Sequence, residues 1–87
     1  MSAVLNVAVR YFASIREALG AAENLAMPPG ATVADLRDAL IARSADHARV
    51  LARGRAVRVA LNQTLSDETA AVSDGAEVAF FPPVTGG

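Results

Sequence analysis

The segment Val4–Phe12 alternates between apolar and mixed positions, and this alternation restricts the possible folds more than any other feature of the chain. Leu5, Val7, Val9 and Tyr11 occupy every second position, which places them on one face of an extended chain. The residues between them include polar and charged side chains, so the opposite face is expected to meet solvent. The pattern predicts a β-strand with one buried face, and such a strand needs a second layer that covers it.

Three later segments are predicted to form further strands. Ala56–Leu61 alternates in the same way, and Glu77–Phe81 is predicted to be the last strand. Asn24–Met27 is a candidate for a short strand that is stopped by Pro28–Gly30. Residue types that favour turns lie at Asn62–Gln63 and Ser73–Gly75.

The segment Val33–Ser44 is predicted to form the main helix. Thr32 can accept an otherwise unpaired backbone N–H at its start, and the carboxylate of Asp35 suits the positive end of the helix dipole. Apolar residues then recur at helical spacing as far as Leu40. Two shorter helices are also predicted, one opened by a capping box at Ser14–Glu17 and ended by Gly20, the other spanning Asp46–Arg53 and ended by Gly54.

Composition and element order together predict one α+β domain. Of the 87 residues 53% are apolar and 20% are charged, which is the balance of a compact globular chain. A mixed sheet packed against one main helix satisfies every amphipathic element in the order found. This arrangement is that of the ubiquitin-like β-grasp, and other small α+β folds share the same pattern. We predict such a domain, with short extra helices, over residues 1–81, followed by an extended C-terminal tail over residues 82–87.

Some functional classes are disfavoured by what the sequence lacks. No apolar run approaches the roughly 20 residues that cross a bilayer, and no leader pattern is visible, so we expect a cytoplasmic protein without a membrane partner. The net charge of −1, with arginines that lack interleaved aromatic residues, disfavours nucleic acid as a partner. There is no cysteine, and the single histidine, His47, has no acidic ligand set. We therefore expect no metal site and no self-contained active site.

The ending VAFFPPVTGG indicates a reactive C-terminus. Two consecutive prolines cannot donate backbone hydrogen bonds, so the sheet must stop there and the chain must leave it extended, with a reach of at most about 20 Å to the last residue. Gly86 and Gly87 carry no side chains, so they can enter a channel too narrow for other residues. The alternative is a terminus that is merely frayed. The residues before the two glycines are Pro82, Pro83, Val84 and Thr85.

An apolar patch with a basic rim is predicted on the solvent face of the sheet. If the last strand buries Phe80, the next residue, Phe81, points to the opposite face. In the first strand Phe12 points outward together with Arg10, and Arg58 is outward in a neighbouring strand. An exposed apolar patch with a polar rim marks a partner surface. The alternative is that the strand ends curl and both rings tuck under loops.

Four segments carry a resemblance to a known family. The C-terminal DGAEVAFFPPVTGG is similar to the C-terminus of the small, sulfur-carrying subunits of molybdopterin synthase in their bacterial form. YFASIREALG resembles the family's aromatic–Ala–x–aliphatic–Arg–Glu segment, TVADLRDAL its first long helix, and VALNQTL its strand and turn before the final strands. The resemblance covers nearly the whole chain in the right order. The absence of lysine departs from typical members but touches none of these motifs.

The resemblance implies a carrier role for Gly87. In this family an ATP-dependent activating enzyme, related to ubiquitin-activating enzymes, converts the C-terminal carboxylate to an acyl-adenylate, and a sulfur donor protein then leaves a thiocarboxylate there. The large synthase subunit takes up the loaded tail, and the sulfur passes to cyclic pyranopterin monophosphate in molybdenum cofactor biosynthesis. The carrier itself is expected to bind no cofactor, because the activating enzyme uses the ATP.

The resemblance also implies which surface meets the partners. The apolar surface that docks both proteins maps to Phe12, Leu65 and Phe81, with Leu65 placed by the resemblance alone. The large subunit and the activating enzyme supply the catalytic groups, so the chain is not expected to be catalytic on its own. The complete synthase is expected to be a heterotetramer of two small and two large subunits.

Three other functions are compatible with the same residues. The chain could carry sulfur for another pathway, such as thiamine thiazole synthesis, although such carriers usually lack the Phe-Phe-Pro-Pro approach. It could be a ubiquitin-like modifier joined through Gly87 to lysines of other proteins. It could also be a binding module whose tail is inert, in which case deletion of the two glycines would leave its function intact.

Overall fold

The part of the chain that the structure describes, residues 4–83 of a computed structural model, contains five strands and three helices. In chain order they are β1 (Leu5–Tyr11), α1 (Ala13–Leu19), β2 (Ala22–Met27), α2 (Val33–Ile41), α3 (Ala45–Leu51), β3 (Arg58–Leu61), β4 (Thr64–Ser66) and β5 (Glu77–Phe81). Within these residues no helix is long and apolar enough to cross a membrane.

All five strands join one mixed sheet in the order β2-β1-β5-β3-β4. The central strand, β5, runs parallel to β1, whereas every other pair of neighbours is antiparallel. One main helix, α2, packs on a single face of this sheet, and α1 and α3 are short additions to the same layer. The α+β class and the β-grasp architecture predicted from the sequence are therefore confirmed.

The core lies between the sheet and the helices. The inward set predicted for the first strand is confirmed, because Val7, Val9 and Tyr11 are at most 1% exposed and Leu5 packs, half-buried, against the core. In β5 the inward residues are Val78 and Phe80, which are equally buried. Each large apolar side chain buried in this way contributes about 1.5–3 kcal/mol to folding. The remaining fully buried large side chains are Val33, Leu36, Leu40 and Leu51, all from α2 and α3.

Helix α2 begins as predicted but ends earlier. The Thr32 hydroxyl accepts the Asp35 N–H, and the Asp35 carboxylate accepts the Thr32 N–H, so a complete capping box fixes the first turn. The predicted end at Ser44 is wrong by three residues, because α2 stops at Ile41. Ser44 instead caps α3, where its hydroxyl accepts the His47 N–H.

The first helix also differs from its prediction at one end. Ser14 lies inside α1, and the N-cap position belongs to Phe12, which has no side-chain cap, so the predicted capping box at Ser14 is wrong. The predicted end at Gly20 is confirmed, since Gly20 is the C-cap with a φ of 92°. Helix α3 ends at Leu51 with Ala52 as its C-cap, two residues before the predicted end at Arg53.

A tight hairpin joins β3 to β4. Leu61 pairs with Thr64, so the loop consists of Asn62 and Gln63 alone, as the turn prediction expected. Their φ angles are 51° and 69°, both in the left-handed region that a two-residue type I′ hairpin requires. This turn places Leu65 in β4, directly opposite Ala60.

One charged side chain, Arg37 of α2, is buried among the described residues. Its guanidinium donates to the carbonyl of Leu51 at 2.8 Å, to that of Ala52 at 2.7 Å and to the carboxylate of Glu68 at 2.6 Å. These bonds tie α2 to the end of α3 and to the segment after β4. The burial of the charge is tolerated because it is paired and hydrogen-bonded.

Candidate functional site

The outer face of the sheet carries a row of aligned residues across four strands. Arg10 of β1 pairs with Ala79 of β5, Ala79 pairs with Ala60 of β3, and Ala60 pairs with Leu65 of β4. Residues opposite one another in register share a face, so these four side chains project away from the core. The two alanines leave the middle of the row shallow.

A second row lies one step closer to the C-terminal end of β5. Phe81 pairs with Arg58 of β3. On the other side, the Phe12 N–H donates to the Phe80 carbonyl at 3.2 Å, so the β1–β5 ladder extends to Phe12. Its backbone is extended, which turns its ring to the face opposite Tyr11. Phe12 and Phe81 are thus neighbours on the outer face.

We call the surface formed by Phe12, Leu65, Phe81, Arg10 and Arg58 the outer patch. The structure brings these five predicted residues together on one face. Leu65 is 63% exposed and Phe12 is 40% exposed, which rules out the alternative in which Phe12 tucks under a loop. Phe81 is half-buried, so it is less exposed than its outward phase alone predicted. The patch is consequently apolar and accessible.

Arg10 and Phe12 interact directly at one edge of the outer patch. The guanidinium carbon of Arg10 lies 5.7 Å from the centroid of the Phe12 ring. A cation over an aromatic face contributes about 0.5–1 kcal/mol at an exposed site. This contact places one basic group directly beside Phe12 at the edge of the patch.

The predicted tail starts beside this patch. Strand β5 ends at Phe81, and Pro82 and Pro83 follow as half-buried residues outside any strand. Pro82 borders a shallow cleft between α1, α3 and the α3–β3 loop, which Ile15, Val50 and Arg55 also line. The other predicted tail residues, Val84, Thr85, Gly86 and Gly87, lie outside the described residues.

A polar cluster that the sequence did not reveal lies under the end of β1. The Tyr11 hydroxyl donates to Glu23 Oε2 at 2.6 Å, and His47 Nε2 lies 2.7 Å from the same oxygen. Arg43 Nε lies 3.1 Å from Glu23 Oε1. Burial, together with the Glu23 carboxylate, raises the pKa of Tyr11 far above its usual value. The cluster anchors the residue that directly precedes Phe12.

The pKa of Glu23 responds to opposing influences. Burial acts to raise it, but the hydrogen bonds from Tyr11 and His47, together with the charge of Arg43, outweigh burial and hold the pKa below its usual value. Glu23 is therefore the charged hub of the cluster. The sequence offered one clue, since a tyrosine buried at a strand end needs a partner for its hydroxyl.

The outer patch can bind but cannot by itself transfer a chemical group. Its side chains are apolar or guanidinium groups, which bury area and donate hydrogen bonds. No group of three or more histidine, aspartate or glutamate side chains that could hold a metal ion occurs within residues 4–83. A reactive group that works with this patch has to come from the tail or from a partner.

Sequence comparison shows which known proteins the chain is similar to. The ThiS family model matches residues 9–87. The molybdopterin synthase sulfur carrier subunit of Escherichia coli is 41% identical over 93% of this chain and 99% of its own length. The protein of the same name from Haemophilus influenzae is 40% identical over 91% of this chain and 96% of its own length. The predicted resemblance is confirmed by these relatives.

Structural comparison supports the same placement. SAMP1 from Haloferax volcanii superposes with a TM-score of 0.76 at 27% identity, over 94% of this chain and 99% of its own. A chain in the complex of subunits 1 and 2 of molybdopterin-converting factor from Helicobacter pylori has a TM-score of 0.63 at 28% identity, over 95% and 100%. The ubiquitin of Caldiarchaeum subterraneum, at 16% identity with a TM-score of 0.63 over 98% and 100%, shares the fold.

The family model matches nearly the whole length of the chain, and both curated relatives are about 40% identical to it. The described residues form a β-grasp sheet whose last strand leads into the tail. The chain belongs to the ThiS family.

Proposed function

We propose that the chain is the sulfur carrier subunit of a molybdopterin synthase, and that Gly87 is the residue that carries the sulfur. The observation that carries this proposal is the 41% identity, over 93% of the chain, to a protein named for that role. The outer patch beside the start of the tail supports it, because a carrier must dock on the proteins that load and unload it.

The proposed chemistry uses the C-terminal carboxylate. Such a group has a pKa near 3.5, so at neutral pH it is an anion and a poor electrophile. An activating enzyme would use ATP to convert it to an acyl-adenylate with release of pyrophosphate. Sulfur at the oxidation level of sulfide, supplied through a donor protein, would attack the acyl carbon, and the bond from that carbon to the AMP oxygen would break. AMP leaves, and a thiocarboxylate remains. This supplies a sulfur nucleophile that a chain without cysteine otherwise lacks.

The proposed acceptor complex is the one formed with the large synthase subunit. A solved complex of subunits 1 and 2 of molybdopterin-converting factor contains a chain with this fold, which supports a large-subunit partner. The outer patch would seat on that subunit while the tail delivers sulfur to the pterin precursor. The activating enzyme would use the same patch at another time.

The experiment is a reconstitution with purified activating enzyme, ATP, a sulfur source, large subunit and pterin precursor. We expect the full chain to gain a thiocarboxylate and to support molybdopterin formation. A variant that lacks Gly87, or that carries Gly86→Val, should support no sulfur transfer and yet melt at an unchanged temperature, because the change lies beyond β5. Retained molybdopterin formation by both variants would contradict the proposal.

A second candidate function is protein modification. It is favoured by the similarity to SAMP1, which a related structure names small archaeal modifier protein 1. This chain has no lysine, so it could attach to other proteins but could not form lysine-linked chains on itself. Conjugates of higher mass that survive denaturation in host extracts would favour this function.

A further inference from the structure

The arginines of this chain divide into two groups by their partners. Those that form ion pairs with carboxylates of the described residues are Arg37, Arg43, Arg49 and Arg53. The other arginines have no carboxylate of residues 4–83 within ion-pair distance. They are Arg10, Arg16, Arg55 and Arg58, and all are exposed. The second group therefore keeps its charge available to an external partner.

Two of these available arginines belong to the outer patch. Arg10 lies in the row of Ala79, and Arg58 pairs with Phe81 one row further along. A third, Arg55, lines the cleft beside Pro82. Three unpaired arginines thus lie either in the outer patch or in the cleft beside Pro82, although the whole protein has a net charge of −1.

The carboxylates near this end of the sheet are engaged elsewhere or lie away from it. Glu68 pairs with Arg37 and Arg53, and the Asp67 carboxylate accepts the backbone N–H of Thr69 at 2.9 Å. Glu77 shares the outer face but lies at the opposite end of β5. Asp67 and Glu68 line the same hollow as Arg58 and Leu65, but no carboxylate of the described residues forms an ion pair with Arg10 or Arg58. Both guanidiniums therefore keep hydrogen-bond donors available to a partner.

We propose that the partner surface that seats on the outer patch, that of the large synthase subunit, carries carboxylates at its rim that accept hydrogen bonds from Arg10 and Arg58. This inference rests on the proposed function. The strip of alanine, leucine and phenylalanine between the two guanidiniums suits an apolar protein surface with an acidic border. It suits a phosphate backbone poorly, since such a backbone cannot desolvate against apolar side chains.

The two arginines act mainly on the rate of association. They lie at the exposed edge of the patch, where complementary charge steers the encounter and is screened by salt. The apolar residues between them set how long the complex lasts, because their burial has to be undone before the partners separate. The two arginines therefore act on the association rate constant, and the apolar residues act on the dissociation rate constant.

The test measures association and dissociation rates with the purified large subunit at low and high salt. We expect an Arg10→Gln/Arg58→Gln double variant to associate about threefold to tenfold more slowly at low salt, with a shallower salt dependence and an unchanged dissociation rate. An Arg16→Gln/Arg49→Gln double variant is the control, because it removes the same charge from exposed positions of α1 and α3 outside the outer patch, and it should leave both rates unchanged. Melting temperatures establish that all variants fold.

The outcomes separate this inference from the proposed function. If Leu65→Ala weakens the complex but the Arg10/Arg58 variant associates at the normal rate, the proposed acidic rim on the partner is contradicted. The outer patch is then still supported as the docking surface. If neither variant affects binding, both the surface and the rim are wrong. If the arginine variant loses affinity only for a labelled single-stranded nucleic acid, the rim serves a different class of partner and the inference is overturned.

Discussion

At the scale of single residues, Leu65 and Val4 make a matched pair of exposed apolar side chains. Leu65 is 63% exposed in the row of Ala60 and Ala79, whereas Val4, at 52%, precedes the far end of β1. Isolated exposed apolar residues are common and need no explanation. Leu65 differs from Val4 because it is continuous with two phenylalanines and two unpaired arginines.

We expect Leu65→Ala to weaken binding of the large subunit by at least about 1 kcal/mol, or about fivefold in Kd. The melting temperature should change little, because an exposed side chain contributes little to folding. Val4→Ala is the control, and it should alter neither quantity. Titration calorimetry and thermal unfolding measure the two effects. Equal losses of affinity in both variants would show that the outer patch is not the docking surface.

Glu23 makes the stability of the fold sensitive to acid. Its folded pKa lies below its usual value, so ionised Glu23 stabilises the fold above its unfolded pKa of about 4.3. That contribution is lost as the pH falls through the lower folded pKa. Glu68, held low by Arg37 and Arg53 against the opposing influence of burial, acts in the same direction.

A Glu23→Gln variant should be less stable than the unaltered protein near neutral pH. The difference in free energy of unfolding should shrink as the pH falls below about 4, because both proteins then carry a neutral side chain at this position. Urea unfolding at a series of pH values measures it. Glu17→Gln, which removes an exposed carboxylate from α1, should show no such convergence. A difference that stays constant with pH would contradict the account of the cluster.

At the scale of elements, the β3–β4 hairpin stores strain that one substitution can release. Gln63 has a φ of 69°, and a left-handed conformation costs an ordinary residue about 1–2 kcal/mol. Asn-Gly is the favoured pair for such a loop. After allowance for the extra freedom of glycine in the unfolded chain, we expect Gln63→Gly to stabilise the protein by about 0.5–1 kcal/mol.

Thermal unfolding tests this prediction, with an expected rise of several degrees in Tm for a domain of this size. Gln63→Ala keeps the strained φ and removes the side chain, so it should not raise the Tm. A destabilised Gln63→Gly variant would show that contacts of the Gln63 side chain outweigh the backbone strain.

The elements show what local sequence can and cannot predict. The start of α2 and the inward phase of β1 were predicted because a capping box and a two-residue alternation are local patterns. The end of α2 was not, since Ser44 has the residue type of a cap and serves the next helix. Likewise Ser14 could have capped α1, but the helix starts directly from the strand.

At the scale of the whole molecule, the outer patch was predictable in part. The outward phase of Phe12, Arg10 and Arg58 followed from strand alternation, whereas Leu65 was placed by resemblance. The partial burial of Phe81 was not predictable, because it depends on neighbouring strands. The polar networks centred on Arg37 and Glu23 were missed for the same reason, since each joins segments far apart in sequence.

In the whole molecule, the surface suited to binding and the group proposed to react lie in different parts of the chain. The sheet carries the outer patch, and β5 ends beside that patch at Phe81, where the chain continues into Pro82 and Pro83. The described side chains of the patch are apolar or guanidinium groups, which suit binding and supply no reactive group. The central claim is therefore that the chemistry resides at Gly87, at the end of the tail.

The most direct test is the intact mass of the protein purified gently from its own host, without added acid or thiol. The account predicts a species heavier by one sulfur-for-oxygen exchange, localised to Gly87 by fragmentation. A free carboxylate at every molecule, accompanied by conjugates through Gly87 to lysines of other proteins, would contradict the carrier function and establish the modifier function in its place.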